Sequence, residues 1–190
     1  MNLFFFGGSF DPPHFGHLKI AEYSLKMCDR FLFIPARRSP HKINAPIASS
    51  KHRKRMLEIL LKDLSGVDII DFELKNNPPS YTWTTIQFLI QTFNPNKMTM
   101  VLGADQLSQM DKWYKIEKIK QTVEILCFER NKQSTQSRMH EDSIKVISDF
   151  VVPVSSSEIR QKFHKLSNTD LHQMLPESVL NYIIEQKLYG

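Results

Sequence analysis

The chain begins with a strand-like run, two glycines, a proline turn and two histidines, in the stretch Leu3-Phe4-Phe5-Phe6-Gly7-Gly8-Ser9-Phe10-Asp11-Pro12-Pro13-His14-Phe15-Gly16-His17-Leu18. The apolar run Leu3–Phe6 predicts a strand that is buried on both faces. Glycines directly after a strand let the backbone approach a ligand closely, and the adjacent prolines predict a turn. The stretch therefore predicts a strand, a ligand-binding loop and a helix, in that order.

Further apolar runs of strand length follow along the chain, and several of them are continuous rather than alternating. Such runs are typical of strands that helices cover on both faces. Helical patterns lie between them, with apolar residues spaced by three or four. The alternation predicts a doubly wound α/β fold with a mainly parallel, Rossmann-like sheet. The strand runs are Leu3–Phe6, Phe31–Ile34, Val67–Phe72, Met98–Leu102, Val123–Phe128 and Val146–Val152, and the helical runs include Leu18–Met27, Ser50–Leu64 and Tyr81–Phe93.

The composition excludes several classes of protein. Hydrophobic residues make up 41% of the 190 residues and charged residues 24%, which is ordinary for a globular protein. The net charge of +5 suits anionic small molecules and nucleic acid alike. Cys28 and Cys127 are too few for a disulfide scaffold, and no run approaches the roughly 18 apolar residues of a membrane span. We expect a cytoplasmic protein with a single domain over residues 1–190, in which residues 155–190 form a helical C-terminal cap.

His14 and His17 are the strongest candidates for chemistry. Because they lie three residues apart at a helix start, they share one face of that helix. A helix N-terminus offers N–H groups and partial positive charge, which suits phosphate, and imidazoles add donors that strengthen on protonation. The alternative is a pair of structural histidines. A zinc site is disfavoured because no matching Cys/His cluster occurs elsewhere in the sequence.

A second candidate anion site lies in Val154-Ser155-Ser156-Ser157-Glu158-Ile159-Arg160. Ser155 and Glu158 have the spacing of a capping box, so we expect a helix to begin there. Arg160 then lies in the first turns, where a cation opposes the helix dipole unless an anion is present. Ser156 and Ser157 could bind the same anion. The alternative is an ordinary capped helix with a surface arginine.

Three further segments could contact a ligand. The basic segment Pro35–Lys42 follows the second strand and could close over phosphates, or could simply be solvated. Asp105 follows the fourth apolar run, where a carboxylate can accept hydrogen bonds from ribose or cap a helix. Trp113 could stack on a flat ring or belong to the core. The hydroxyls of Ser80–Thr85 could bind a ligand, although a capping role is the simpler interpretation.

Together these motifs resemble those of the nucleotidylyltransferase superfamily. The stretch Gly7–Pro12 with His14-Phe15-Gly16-His17 is similar to the H-x-G-H signature, and Ser155–Arg160 is similar to the second motif, S-S/T-x-x-I-R. Weaker motifs resemble those of the bacterial nicotinate-nucleotide adenylyltransferases over almost the whole chain. They are Ser39-Pro40-His41-Lys42, Ser80-Tyr81-Thr82, Gly103-Ala104-Asp105 with Trp113, and the C-terminal pieces Leu175-Pro176, Tyr182-Ile183 and Leu188-Tyr189.

The resemblance implies a reaction and a set of site residues. The reaction joins ATP to nicotinate mononucleotide, giving deamido-NAD and pyrophosphate in NAD biosynthesis. Mg²⁺ is implied as the cofactor that accompanies ATP, carried by phosphates and water rather than by protein ligands. The resemblance assigns catalysis to His14, His17 and Arg160, ATP binding to Gly7, Gly8, Ser9, Phe10, Asp105, Ser156 and Ser157, and mononucleotide binding to Lys42, Thr82 and Trp113.

Two alternatives stay open at this point. An adenylyltransferase acting on nicotinamide mononucleotide or phosphopantetheine would share the phosphate chemistry, and the sequence separates these acceptors poorly. A basic RNA-binding module without turnover is a different class of protein. It is disfavoured because both phosphate motifs are present and the basic residues do not gather with aromatic residues in one stripe. We therefore expect ATP and nicotinate mononucleotide as partners, with neither nucleic acid nor a membrane, and leave a homo-oligomer open.

Overall fold

The predicted doubly wound, mainly parallel α/β fold is confirmed. The computed structural model describes residues 1–38, 45–76, 79–129, 144–148, 150, 154–165 and 168–190. Within these ranges six strands form one wholly parallel sheet in the order β3-β2-β1-β4-β5-β6. The strands are β1 (Asn2–Gly8), β2 (Arg30–Pro35), β3 (Val67–Ile69), β4 (Lys97–Gly103), β5 (Glu124–Phe128) and β6 (Ile144–Ile147).

In the described residues, helices follow each of the strands β1 to β4, and three more helices follow β6. Because β4 returns to the far side of β1, the order of the strands reverses between these two neighbours. Ligands of open α/β sheets bind beyond the carboxyl ends of the strands at such a point. The helices are α1 (Phe15–Ser24), α2 (Ser50–Leu61), α3 (Phe72–Lys75), α4 (Thr82–Phe93), α5 (Ala104–Leu107), α6 (Ile116–Thr122), α7 (Ser156–Lys162), α8 (Asn168–Met174) and α9 (Glu177–Glu185), with a 3-10 turn at Met110–Lys112.

The sheet separates two hydrophobic cores, because successive side chains of a strand point to opposite faces. In the central strand β1, Phe4 and Phe6 belong to the first core, while Leu3 and Phe5 belong to the second. Helices α1, α2 and α7 to α9 contribute buried residues to the first core, and α4 to α6 contribute to the second. Truncating a phenylalanine of β1 to alanine is expected to cost about 3–5 kcal/mol. The unbroken apolar run of β1 is thus explained by burial on both faces.

Two predicted strands differ from the observed ones. The predicted strand Val67–Phe72 ends at Ile69, and the chain turns into α3 at Phe72. Asp71, just before that helix, pairs with Lys54 Nζ and Lys75 Nζ, each at 2.9 Å. β6 begins two residues before the predicted Val146–Val152 and ends at Ile147, whereas residues 149 and 151–153 lie outside the described part of the chain. The short helices α3, α5 and α6 have no counterpart in the sequence pattern.

The C-terminal helices pack on the first core rather than standing apart from the sheet. Ile159 of α7, Leu171 of α8 and Val179 of α9 are almost completely buried in it. That residues 1–190 form a single domain with a cap from residue 155 stays a prediction. In the ranges described above, no helix is long and apolar enough to cross a lipid bilayer.

Candidate active site

Two cavities meet at the carboxyl end of β1. The first, which we call the histidine cleft, spans about 930 Å³ including the open solvent at its mouth and is lined by His14, His17, Asp105, Ser156 and Arg160, among others. The second, which we call the tryptophan cavity, spans about 760 Å³ including open solvent and is lined by Glu73, Thr82, Thr85, Trp113 and Tyr114, among others. The same four residues border both cavities, namely Gly7, Gly8, Ser9 and Gln106.

Gly7 and Gly8 place no side chains between the two cavities. An added Cβ at Gly8 would lie 3.0 Å from the ring of Phe10, so a side chain there would disturb the packing of that ring. Phe10 itself has a φ of 49°, a left-handed conformation that is rare for residues other than glycine and turns the chain sharply after the strand. An added Cβ at Gly7 would meet no atom within 4 Å. The backbone at residues 7–9 is therefore accessible to ligands in both cavities.

His14 and His17 cap the helix that follows. Nδ1 of His14 accepts the N–H of Gly16, and Nδ1 of His17 accepts the N–H of His14, both at 3.1 Å. This is a reciprocal capping box built from two histidines, with ring centroids 3.8 Å apart. Because each Nδ1 is an acceptor, each neutral ring carries its proton on Nε2. The structural and the functional interpretations of these residues are therefore compatible, since one nitrogen caps the helix and the other is the donor.

Helix α7 is attached directly to the loop after β1. One Nη of Arg160 donates to the carbonyl oxygen of Asp11, and the other donates to Oγ of Ser157 at 3.2 Å. The hydroxyl of Ser156 donates to the carbonyl oxygen of Pro12 at 2.8 Å. The two halves of the predicted anion site, joined by hydrogen bonds across 144 and 149 residues of sequence, thus lie on one cleft.

The start of α7 agrees in part with the predicted capping box. Oγ of Ser155 accepts the N–H of Glu158 at 3.1 Å, so the N-cap is where the sequence predicts it. The carboxylate of Glu158 forms an ion pair with Lys162 Nζ at 2.8 Å, one turn further along the helix. The one acidic side chain of α7 is thus paired with Lys162, whereas Arg160 lines the cleft.

Asp105 lies at the mouth of the histidine cleft, in the first turn of α5. Gly103 lets its carboxylate fold back over the end of β4, since an added Cβ at Gly103 would lie only 2.6 Å from Oδ1 of Asp105. Behind it, burial and the nearby carboxylates of Glu129 and Asp105 raise the pKa of Cys127 to about 12. This thiol therefore stays neutral and is not a nucleophile.

The tryptophan cavity has aromatic and hydroxyl-bearing walls. Thr82 is the first residue of α4, and Trp113 follows the 3-10 turn, partly buried against the second core. The rings of Tyr81 and Tyr114 approach within 5.0 Å of each other and are both exposed. Lys42, the third residue assigned to the mononucleotide, lies outside the described residues. Thr82 and Trp113 therefore share one cavity, although 31 residues separate them in sequence.

Glu73 gives the tryptophan cavity a carboxyl group that sequence patterns did not indicate. Its Oε1 accepts the hydroxyl hydrogen of the buried Thr85 at 2.6 Å. Burial raises its pKa, against the opposing effect of hydrogen bonds from Thr85 and Ser80. No spacing rule marks a lone glutamate in a short helix.

Arg53, which bonds to a residue at the boundary of the two cavities, was also missed by sequence analysis. It is 1% exposed, and its guanidinium donates to the carbonyl oxygens of Ser9 at 2.6 Å and Ala48 at 3.2 Å. Burial lowers its pKa, and the negative charge of Asp11 opposes that effect. A signal did exist, because Arg53 lies on the same helical stripe as Met56, Leu57 and Leu60. A charged residue on an apolar stripe indicates a buried polar contact.

The fold brings a cleft lined by imidazole and guanidinium groups beside an aromatic cavity, at the point of the α/β sheet where ligands of such sheets bind. A family model described as cytidylyltransferase-like matches residues 5–162, and the chain belongs to this family. The membership in the nucleotidylyltransferases that the motifs predict is confirmed.

Relatives of known name match the chain over nearly its full length. A probable nicotinate-nucleotide adenylyltransferase of Staphylococcus epidermidis is 32% identical over 97% of this chain and 95% of its own length. One of Leptospira interrogans is 34% identical over 97% of this chain and 95% of its own length.

Solved structures share the fold. The Plasmodium falciparum nicotinic acid mononucleotide adenylyltransferase complexed with NaAD superimposes with a TM-score of 0.78 at 20% identity, covering 99% of this chain and 97% of that one. A second structure of that protein, complexed with APC, gives a TM-score of 0.76 at 19% identity, covering 99% of this chain and 96% of that one.

Proposed function

We propose that this protein transfers the adenylyl group of ATP to nicotinate mononucleotide, with deamido-NAD and pyrophosphate as products, in NAD biosynthesis. The observation that carries the proposal is the pair of cavities that meet at Gly7–Ser9. One offers cationic and imidazole donors, and the other offers an aromatic wall. The full-length relatives bear the name of this activity.

ATP occupies the histidine cleft in this proposal. Nε2 of His14 and Nε2 of His17 donate hydrogen bonds to the phosphates, and Arg160 adds a guanidinium from the opposite wall. The hydroxyl of Ser157 is a further donor, whereas Ser156 holds the loop through Pro12. The backbone of residues 7–10 lies along the nucleotide, and Asp105 accepts hydrogen bonds from the adenosine ribose.

The reaction needs neither a general base nor a covalent intermediate. The phosphate of the mononucleotide is largely ionised near pH 7, since a phosphate monoester has its second pKa near 6. One of its oxygens bonds to the α-phosphorus of ATP, the bond from that phosphorus to the bridging oxygen breaks, and pyrophosphate leaves with the electron pair. The protein contributes alignment and donors aimed at the charge that develops. His14, His17 and Arg160 are placed for that role.

Nicotinate mononucleotide occupies the tryptophan cavity. Trp113 provides a face on which the pyridine ring stacks, and Thr82 lies where the first N–H groups of α4 could meet the carboxylate. Lys42 is the residue assigned to its phosphate, from the part of the chain that the structure does not describe. One observation favours nicotinamide mononucleotide instead, because the carboxyl group of Glu73 could accept a hydrogen bond from an amide.

Mg²⁺ accompanies ATP in this proposal. Among the described residues, no group of three or more His, Cys, Asp or Glu side chains is placed to hold a metal ion. The donors of the histidine cleft are suited to phosphate oxygen rather than to a hard cation. Phosphate oxygens and water would hold the ion, which would supply additional neutralisation of the triphosphate charge.

Acceptor preference tests the proposal. Purified protein is incubated with ATP and Mg²⁺, and pyrophosphate release is followed with nicotinate mononucleotide, nicotinamide mononucleotide or phosphopantetheine. We expect strong preference for the nicotinate compound. Preference for either other acceptor would preserve the chemistry and overturn the substrate assignment. Absence of release with all three, together with salt-dependent RNA binding, would favour the RNA-binding alternative.

A further inference from the structure

The end of helix α9 directs the last residues back into the protein. The N–H of Leu188 donates to the carbonyl oxygen of Ile183 at 3.0 Å, and the N–H of Lys187 donates to that of Ile184 at 3.1 Å. With Lys187 at a φ of 50°, these two bonds form a Schellman motif. Tyr189 also has a positive φ, of 64°, and its ring is 9% exposed in the first core. A left-handed conformation is unfavourable for a tyrosine by itself, so the contacts that the Tyr189 side chain makes must offset that cost.

The hydroxyl of Tyr189 ends at the loop that forms the histidine cleft. It donates to Oδ1 of Asp11 at 2.7 Å, across 178 residues of sequence. Burial raises the pKa of this tyrosine, and the neighbouring charge of Asp11 raises it further. The hydroxyl is therefore protonated at neutral pH and acts as a donor.

Asp11 joins four parts of the chain at one buried carboxylate. Oδ1 also accepts the N–H of Ala48 at 3.0 Å, and Oδ2 accepts the N–H of Ile47 at 2.8 Å. Nη1 of Arg160 lies 3.9 Å from Oδ2 and donates to the carbonyl oxygen of the same aspartate. Three neutral donors therefore satisfy the carboxylate, and the guanidinium stays at a distance from it, with a quarter of its side-chain surface exposed to the cleft.

We propose that Tyr189 is a positioning residue of the nucleotide site, which acts by satisfying Asp11 so that Arg160 is available to the phosphates of ATP. A buried carboxylate that loses a donor takes the nearest replacement, because leaving it unsatisfied is costly. The replacement here is the guanidinium of Arg160, which is the nearest charged group on Oδ2. Loss of the tyrosine hydroxyl would thus draw Arg160 toward Asp11 and away from bound phosphate. The inference rests on the proposed function in one respect, that ATP is the ligand of the histidine cleft.

Two variants separate this role from a merely structural one. Tyr189→Phe removes the hydroxyl and keeps the ring in the core. Tyr182→Phe is the matched control. The hydroxyl of Tyr182, in α9, forms a side-chain hydrogen bond with Nδ1 of His52 at 2.9 Å, and neither residue lines the cleft. Binding of a non-hydrolysable ATP analogue and of nicotinate mononucleotide is measured separately by calorimetry, with thermal unfolding in parallel.

We expect Tyr189→Phe to weaken binding of the ATP analogue about three- to tenfold, the size of one lost hydrogen bond at the site. Binding of nicotinate mononucleotide should stay unchanged, and Tyr182→Phe should bind both ligands as the wild type does. In an Arg160→Lys background, Tyr189→Phe should cause little further loss, since residues that act through one another are not additive.

Other outcomes would overturn the inference. Tyr189→Phe that binds the analogue as tightly as the wild type would show that the hydroxyl serves stability alone. Equal weakening by the two tyrosine variants, or equal weakening for the two ligands, would point to a general loosening of the fold. If the wild-type protein does not bind the analogue at all, the proposed function itself is contradicted. That result can be told apart from the outcomes for the two variants.

Discussion

The histidine cleft and the tryptophan cavity share one wall and are built in different ways. The walls of the cleft are held by hydrogen bonds that cross the chain: Arg53 to Ser9, Ser156 to Pro12 and Arg160 to Asp11. The walls of the cavity include aromatic side chains, of which Tyr81 and Tyr114 are exposed, with ring centroids 5.0 Å apart.

The difference matches what each ligand needs. A triphosphate carries several charges and requires donors fixed in advance, because reorganising them during the reaction would cost free energy. A pyridine ring requires a flat apolar surface, on which stacking tolerates small displacements. We therefore expect changes in the cleft to reduce turnover and changes in the cavity to reduce acceptor affinity.

The largest expected effect is on the chemistry of the cleft. His17→Ala removes a donor that is aimed at the phosphates, and the loss of one such donor lowers kcat by about 10²–10³-fold. The same change removes a helix-capping bond at a cost of about 1 kcal/mol, so the fold should persist. Pyrophosphate release gives kcat, and thermal unfolding checks the fold. His52→Ala, at a residue that lines neither cavity, is the control, and near-normal turnover of His17→Ala would refute the role.

The next largest effect is a loss of stability when the buried carboxylate of Asp11 is changed. Asp11→Asn keeps one acceptor oxygen but removes the charge that three donors and Arg160 surround. Hydrogen bonds to a charged group contribute about 1.5–3 kcal/mol, so unfolding in denaturant should show a loss of about that size.

The matched control for Asp11 is Asp68, whose ion pair with Arg30 is about two-fifths exposed on both sides. Asp68→Asn should cost less than about 1 kcal/mol, as exposed pairs do. Equal losses of unfolding free energy in Asp11→Asn and Asp68→Asn would mean that the buried contacts of Asp11 stabilise the fold no more than an exposed ion pair does.

The cavity should respond in affinity rather than in turnover. Trp113→Leu keeps an apolar residue against the second core and removes the stacking surface, so KM for nicotinate mononucleotide should rise about tenfold. KM for ATP should stay unchanged. Trp83→Leu is the control, because Trp83 packs against the same core but does not line the cavity. A rise in the KM for ATP as large as that for the mononucleotide would remove the distinction between the two sites.

The smallest effect is a pH dependence in the cavity wall. Because the pKa of Glu73 is raised on folding, the folded state binds its proton at a higher pH than the unfolded chain does. The carboxyl group therefore costs stability above its folded pKa, and this cost disappears as the pH falls below the ordinary carboxyl pKa. Glu73→Gln, which keeps an acceptor for Thr85, should be more stable than the wild type at high pH and equal to it at low pH. A stability difference independent of pH would contradict this account.

The sequence predicts the cleft better than the cavity for a physical reason. The loop from Gly7 to His17 is short and contiguous, so its strand, turn and helix cap can be inferred from local rules. The same holds for the N-cap at Ser155. Even the sheet follows from local patterns, since the continuous apolar runs indicate strands buried on both faces.

The contacts that sequence analysis missed depend on long-range geometry. Arg53 meets Ser9 across 44 residues, and Tyr189 meets Asp11 across 178. No periodicity indicates which loops will meet at the end of a sheet. The error at Val67–Phe72 has a similar origin, since α3 begins at Phe72 and the preceding Asp71 pairs with Lys54 of helix α2. The roles assigned to the individual site residues stay predictions.

The most direct test of the two-cavity account is a crystal structure of this protein with deamido-NAD bound. We expect the adenylate half in the histidine cleft, with its phosphate near His14, His17 and Arg160, and the nicotinate ring against Trp113. The bridging phosphates should pass over Gly8. A dinucleotide bound in the reverse orientation, or bound outside either cavity, would contradict the account.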